Sequence, residues 1–485
     1  MKRLLLLLAA ALLFLTSCAP QEAALPTPEP TAEATAAPTE APADRPYSGD
    51  GKGYEKIWYR QRDVGWEEDV VFFADAFLDP YHGHPLLTDR ASLKKTYNDL
   101  VLRYSSTSSE SFCDPALREE FIRRVNELIL DIPYTSNYDM PIRLAEIAAL
   151  LGDAHSYVSV PVEEAFPMWL KVFYTDGVPE CAVDFAPAGS ERLLGSRLTA
   201  INGVPVLEIA GKLRPFVSLE AETTFYRRAL DYSMLLNCSL LRYIGVMGPE
   251  RSAVFTLIDP DGNEFETELL SRSSAAMWHD AVGYHAENGE PESDHGTLLM
   301  ERFPYEELWS TMLSEGRTLY LRFNTCKVDD TIGEIVNEAF SEAAASGKLE
   351  KVIVDFRSNG GGYADLSGNF LPLANAMRDS GAELYVLIDG GSFSAAVGIP
   401  SMLKRRLENV TLAGTPAGQP TSFFSGWQSE LPNSGVYFQY SDRFNEFWPG
   451  NSDEVLTPDL VIPQTYSDFL NGVDSVLYRL LEGGE

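Results

Sequence analysis

The chain has 485 residues, enough for two or three domains and a sizeable core. Its 45% hydrophobic and 22% charged content is that of an ordinary globular protein. A formal net charge of −33 makes nucleic acid and anionic membrane surfaces poor partners, and the acidity reads as a soluble, self-repelling surface.

Lys2 and Arg3 precede an apolar run, Leu4 to Leu15, which closes with Leu15-Thr16-Ser17-Cys18. A charged start, an apolar stretch too short to span a membrane as a mature helix, and small residues before a cut describe a leader over residues 1–18. The closing tetrapeptide resembles a bacterial lipobox. The resemblance implies that Cys18 becomes the lipidated first residue and that the protein is extracytoplasmic, anchored by lipid to a bacterial membrane. Residues 19–46 are Ala, Pro, Thr and Glu with almost nothing large and apolar, which predicts an extended, disordered tether. Cys113, Cys181, Cys238 and Cys326 are too scattered for a metal motif. Disulfides are permitted outside the cytoplasm, but this scatter is that of buried free thiols.

Residues 47–160 carry a helical pattern, clearest in Glu67 to Leu78, Pro115 to Leu130 and Pro141 to Leu151. The last run stops at Gly152, and Asp153-Ala154-His155-Ser156 follows. Residues 161–275 turn to β. Strands are expected at Leu170–Tyr174, Glu180–Phe185, Arg197–Ile201, Val254–Ile258 and Glu264–Leu269, with hairpin-type turns at Asn202-Gly203 and Asp261-Gly262. Arg197 to Ala210 resembles the PDZ-like domains of processing proteases, which bind a peptide terminus by adding it to a sheet edge. A plain small β domain is the other reading. Residues 217–247 look like a helical excursion from it. The linker, residues 276–305, shares a polar stretch with His279, His285 and His295, whose spacing matches no compact metal site.

Residues 306–485 alternate β and α. Strands are expected at Thr318–Phe323, Lys351–Phe356, Leu384–Ile388 and Val410–Ala413, with a helix at Ile332–Ala345. Lys351–Phe356 is continuously apolar, as in a strand buried on both faces, so the segment predicts a layered α/β core with parallel β-α-β crossovers. Two junctions in it carry chemistry. Leu384 to Ala396 (LYVLIDGGSFSAA) reads as a buried strand, a tight turn and a helix start, which puts the Ser394 hydroxyl at the mouth of a sheet. Taken alone, Ser394 is also a good helix cap. Asp355 to Gly362 (DFRSNGGG) follows another buried strand, and its three glycines let a substrate approach main-chain N–H groups. The absence of GK[ST] argues against a phosphate cradle and for an oxyanion site made by the N–H of Ala395 and one from the glycine run.

DFRSNGGG, SFSAA, LPNSG (Leu431 to Gly435) and TPDL (Thr457 to Leu460) occur in this order, with LGDAH upstream and NGVD (Asn471 to Asp474) near the end. The ordered set resembles the C-terminal processing (tail-specific) serine peptidases and their tricorn-like relatives. The resemblance covers about residues 140–480 and implies an α/β catalytic core with a PDZ-like domain and a helical N-terminal region. It implies a serine-type endopeptidase that needs no cofactor or metal and takes peptide or protein substrates, by their C-terminus where the PDZ-like module acts. It makes Ser394 the nucleophile, with Ala395 N–H and Gly361 N–H as oxyanion donors. Many members carry a lysine base 25 residues after the serine; here that position is Gln419, whose amide takes no proton near neutral pH. Lys404, on the predicted helix about 15 Å away, is no substitute. In the tricorn-like branch a histidine serves, and His155 matches it. Ser156, Asp153, Asp453 and Glu454 are the candidates for orienting that ring. Alternatives are a histidine that only orders its turn, a pseudopeptidase that binds peptides without turnover, and a structural envelope lipoprotein.

Overall fold

The N-terminal helices form where large apolar residues recur at three- and four-residue spacing. The computed structural model describes residues 59–78, 115–175, 177–273, 300, 303, 306–327, 332–362, 380–407, 409–448 and 454–483. The expected leader with Cys18, the expected tether, Cys113, His279, His285 and His295 of the expected linker, and Asp453 lie outside them. Helix α1 (Tyr59–Leu78) buries Trp66, Val70, Phe73 and Phe77; α2 (Pro115–Asp131) buries Phe121, Val125 and Leu128. Helix α3 (Asp139–Ala149) completes a shared core with them. Burying one such side chain contributes about 1.5–3 kcal/mol. No helix among the described residues is long and apolar enough to cross a membrane.

After β1 (Tyr157–Val158) come β2 (Trp169–Thr175), β3 (Val178–Phe185), β4 (Arg197–Ile201), helix α4 (Val206–Leu213), β5 (Ser252–Ile258) and β6 (Glu264–Leu270). Strands β2 to β6 make one antiparallel sheet in the order β2-β3-β4-β5-β6. Asn202 and Gly203, both at positive φ, form the expected two-residue turn between Ile201 and Val204. The Asp261-Gly262 turn differs. It lies within a five-residue loop, 259–263, because Asp259 accepts the Gly262 N–H and Ile258 pairs with Glu264. Between α4 and β5 the chain forms short helical turns, among them Phe225–Ala229 and Cys238–Tyr243.

The C-terminal half holds β7 (Leu308–Leu313), β8 (Thr318–Phe323), α5 (Ile332–Ala345), β9 (Lys351–Asp355), β10 (Glu383–Ile388), α6 (Ala395–Arg406), β11 (Val410–Gly414), β12 (Ser422–Glu430), β13 (Tyr437–Glu446), β14 (Leu460–Val461) and α7 (Ser475–Glu482). Strand order is β7-β8-β9-β10-β11-β14; β7 is antiparallel to β8 and the other pairings are parallel. Alternate residues serve two cores. Leu321, Val354 and Val386 pack with Phe340 of α5 and Leu403 of α6, while Tyr320, Ile353 and Leu387 pack with Leu477 of α7. Burial on both faces is why these strands read as unbroken apolar runs.

Two motifs prove to be joints. LPNSG turns the hairpin between β12 and β13, and buried Asp69 of α1 accepts the N–H groups of Asn433 and Ser434 at 2.8 and 2.9 Å. Phe438 of β13 packs on Phe73 and Phe77, so the hairpin fastens the helices to the rest of the fold. In NGVD, Asp474 caps α7 and pairs with Arg357 at 2.8 Å; Arg357 also pairs with Asp355 at 2.6 Å. Burial alone would raise the Asp355 pKa, but Arg357 and Arg322 overcome it and hold the carboxylate at about 2.

Candidate functional site

Ser394 sits where β10 turns into α6, with φ 56° and ψ −122°. An L-residue rarely adopts that backbone, and holding it there costs about 1–3 kcal/mol. Ser394 occupies the cap position of α6, yet its side chain makes no capping hydrogen bond, and among the described residues its hydroxyl has no partner. The turn is fixed from outside. Asp389 Oδ1 accepts the N–H groups of Ser358, Gly391 and Ser392, and Ser392 Oγ donates to Phe356 O at 2.9 Å. Among the described residues the Ala395 N–H meets no acceptor, and it opens a helix whose N-terminal N–H groups favour negative charge.

The glycine run lies directly on this serine. A Cβ at Gly361 would stand 2.5 Å from Ser394 Cβ and 2.8 Å from Phe393 O, and its φ is 97°. Only glycine admits that approach. Asn359 organises the contact: its carbonyl accepts the Phe393 N–H at 2.9 Å, and its side chain donates to Phe323 O. The Gly361 N–H, expected as an oxyanion donor, is engaged by Asn359 Oδ1 at 2.8 Å. An asparagine two residues upstream closes such a turn readily, which composition around the glycines did not reveal.

Gln419 is fully buried against the same serine, and its Oε1 accepts the Ser394 N–H at 2.5 Å. Position 419 therefore does reach Ser394, but as an acceptor for its backbone. Lys404 donates to Val410 O and pairs with Asp459 at 2.7 Å, so it is held away from the serine.

His155 is 4% exposed and lies between two rings, Phe393 at 4.5 Å and Phe423 at 5.4 Å between centroids. Its backbone N–H donates to Asp153 Oδ1, but neither ring nitrogen has a partner. The ring packs on Phe393 of the serine turn and makes no hydrogen bond to Ser394. Burial, with a smaller push from Arg228, lowers its pKa to about 4 against the pull of Asp153, so the imidazole is neutral near pH 7. Asp153 also accepts the Ser156 hydroxyl at 2.6 Å, and Ser156 Oγ accepts the Ser441 N–H. The side chain of Glu454 is exposed, and its carbonyl pairs with Thr421 N–H.

One carboxyl that no motif marked joins this group. Ligand atoms of Asp153, His155 and Glu220 all lie within 4.8 Å of one another. Burial, reinforced by the Asp153 charge, raises the Glu220 pKa to about 9. The spacing is that of metal ligands, but the buried Arg228 guanidinium interacts with both carboxyls, and this cation supplies the charge a metal would. Arg228 also lies 4.9 Å over the Phe393 ring and donates to Ser218 O. Arg227 pairs with Asp389 and donates to Ser358 Oγ at 3.1 Å. The excursion between α4 and β5 thus grips the serine turn.

No protein-family model matches the chain, and no curated protein matches it. Solved structures do. Mature CPAF is 14% identical over 87% of this chain and 98% of its own, with a TM-score of 0.51. CPAF complexed with lactacystin is 13% identical over 87% of this chain and 99% of its own, TM-score 0.50. A photosystem II D1 C-terminal processing protease is 14% identical over 86% and 97%, TM-score 0.36. The chain shares the fold of mature CPAF. Within this mixed α/β fold, the sequence reading located Ser394, its glycine run and position 419. It missed Glu220, Arg228 and the role of Asn359. The signal available was two acids and two arginines in the helical excursion from the β region, at Glu220, Glu222, Arg227 and Arg228. Cys181, Cys238 and Cys326 are buried and free, and burial raises their pKa values to about 12, 11 and 12.

Proposed function

We propose that this chain is a serine-type endopeptidase of the tail-specific processing class. The observation that carries the reading is the strained Ser394, with an uncapped hydroxyl beside the free Ala395 N–H, in a fold shared with CPAF. Ser394 is the nucleophile, and neutral His155 is its base once the ring turns from Phe393 to the hydroxyl. Ala395 N–H is one oxyanion donor; a donor of this kind contributes about 2.7–4 kcal/mol to the barrier. Gly361 N–H becomes the second when the substrate oxygen displaces Asn359 Oδ1. Ser394 Oγ attacks the peptide carbonyl, the amine leaves with the proton from His155, and water hydrolyses the acyl-enzyme. The antiparallel sheet with α4 is read as the PDZ-like module that takes a peptide C-terminus. The leader and Cys18 support an extracytoplasmic, lipid-anchored protein acting on extracytoplasmic substrates, with no role for nucleic acid.

A fluorophosphonate probe tests the assignment. It is expected to label wild-type Ser394, to miss Ser394→Ala, and to react at least about 100-fold more slowly with His155→Ala. Equal labelling of the Ser394→Ala variant refutes it. A second reading, a peptide-binding pseudopeptidase, is favoured by Gln419 and by the missing His155–Ser394 hydrogen bond. Saturable binding of peptide C-termini by an unlabelled, non-cleaving protein would select it.

A further inference from the structure

We propose that Glu220 is the positioning residue for His155, the carboxylate that fixes the ring and balances its charge when it takes the Ser394 proton. This rests on the peptidase reading above.

Elimination leads to Glu220. Of the four candidates for orienting the ring, Asp153 accepts the His155 backbone N–H and the Ser156 hydroxyl. Ser156 Oγ is held between Asp153 and Ser441 N–H, and its carbonyl accepts from Ser218 Oγ. The Glu454 side chain is exposed, whereas the ring is 4% exposed. Asp453 lies outside the described residues. Glu220 is the remaining carboxyl of the described cluster, within 4.8 Å of a ring nitrogen as Asp153 also is, and its carboxyl oxygens have no hydrogen-bond partner among the described residues. Among the described residues both ring nitrogens are buried without partners, an arrangement that costs stability and calls for a reason other than stability.

The proton balance is explicit. The Ser394 O–H bond breaks as an N–H bond forms on the ring nitrogen that faces it. The other ring nitrogen, which already carries hydrogen, donates to the Glu220 carboxylate. The resulting imidazolium then lies against one negative charge, and its new proton goes to the leaving amine. Glu220 must be ionised for this. A protonated Glu220 would donate to the ring and hold the wrong tautomer. The charged and titratable groups facing the pair are Asp153 from the same turn, Arg228 from the excursion, and Tyr157 of β1 beside Arg228. Burial first, then Asp153, oppose ionisation of Glu220, and Arg228 only partly offsets them, so the working form appears on the alkaline side.

The test is the pH profile of fluorophosphonate labelling of the full chain, for wild type, Glu220→Gln and Glu220→Asp, with Ser394→Ala as blank. Wild-type labelling should climb through the alkaline range. Glu220→Gln should label at least about 100-fold more slowly there and lose the climb, and Glu220→Asp should recover part of both. Labelling of Glu220→Gln at the wild-type rate overturns the proposal. So does slower labelling with an unchanged profile, since that is what a merely structural role gives. If the wild type does not label at any pH, the peptidase reading fails separately. The His155 Cε1 proton resonance, assigned with His155→Ala, then decides: an alkaline inflection that Glu220→Gln removes supports the pairing, and no such inflection overturns it.

Discussion

Replacing Gly361 by alanine tests whether the glycine run truly lies on the serine. Two effects oppose each other. Alanine reduces the freedom of the unfolded chain, which stabilises by about 0.4–1 kcal/mol. Against this, φ of 97° is hostile to a Cβ, at a cost of about 1–2 kcal/mol. The new methyl would also stand 2.5 Å from Ser394 Cβ, 2.8 Å from Phe393 O and 3.1 Å from Ala395 N. Carbon atoms prefer about 3.5–4.0 Å, and overpacking of this kind costs about 1–3 kcal/mol. The unfavourable terms win, giving a net loss of about 1–4.6 kcal/mol by these ranges. Gly360→Ala is the control, because a Cβ there meets nothing within 4 Å and its φ is not in the left-handed region. Urea denaturation of both variants measures the difference. Ser394 labelling should fall with Gly361→Ala alone, since the methyl displaces the serine turn. If both variants unfold at the same urea concentration, the close approach of loop to serine is refuted.

Ser394→Gly should be more stable than Ser394→Ala by up to about 1.6 kcal/mol in thermal or urea unfolding, because glycine relieves about 1–2 kcal/mol of strain at φ 56° and gives back about 0.4–1 kcal/mol through the unfolded chain. Gln419→Lys should not create a working base. It would put an ammonium against the Ser394 N–H, a donor facing a donor, at a position with no exposure. A stability loss of about 3 kcal/mol or more, with no gain in labelling, is the expected result. The Glu220 pKa, raised from 4.5 to about 9, means that folding takes up a proton. Its contribution is whole below pH 4.5 and is lost as pH rises towards 9, on the order of 1 kcal/mol per unit. Urea midpoints of Glu220→Gln should therefore gain on wild type from pH 5 to 8; parallel curves would contradict the burial of this acid. His155 works in the opposite sense. Its pKa, lowered from 6.5 to about 4, favours the fold above pH 6.5 and ceases to as pH falls to 4, so His155→Gln should lose less stability than wild type over that acid range.

Much of the fold was legible in local pattern. The parallel strands β8 to β11 read as apolar runs because both faces are buried, and α1 and α2 read as periodic because one face is. The antiparallel strand β7 and the hairpin of β12 and β13 were not legible. Polar positions such as Ser425, Gln428 and Gln439 interrupt the apolar signal, although each strand pairs with a neighbour in sequence. LPNSG was recognisable as a motif, but its joint with Asp69 closes across more than 360 residues.

The candidate site divides along the same line. The sequence by itself determined that a serine would stand between a buried strand and a helix, and that glycines would follow another strand, because both depend on neighbouring residues and backbone freedom. It also determined that position 419 carries an amide. Only the tertiary structure decided that this amide accepts the Ser394 N–H, that Asn359 holds the Gly361 N–H, and that His155 lies on Phe393. It alone brought Glu220 and Arg228 from an excursion in another part of the chain to the buried imidazole. Those outcomes depend on burial and on charges converging from distant segments, and neither has a signature in local spacing.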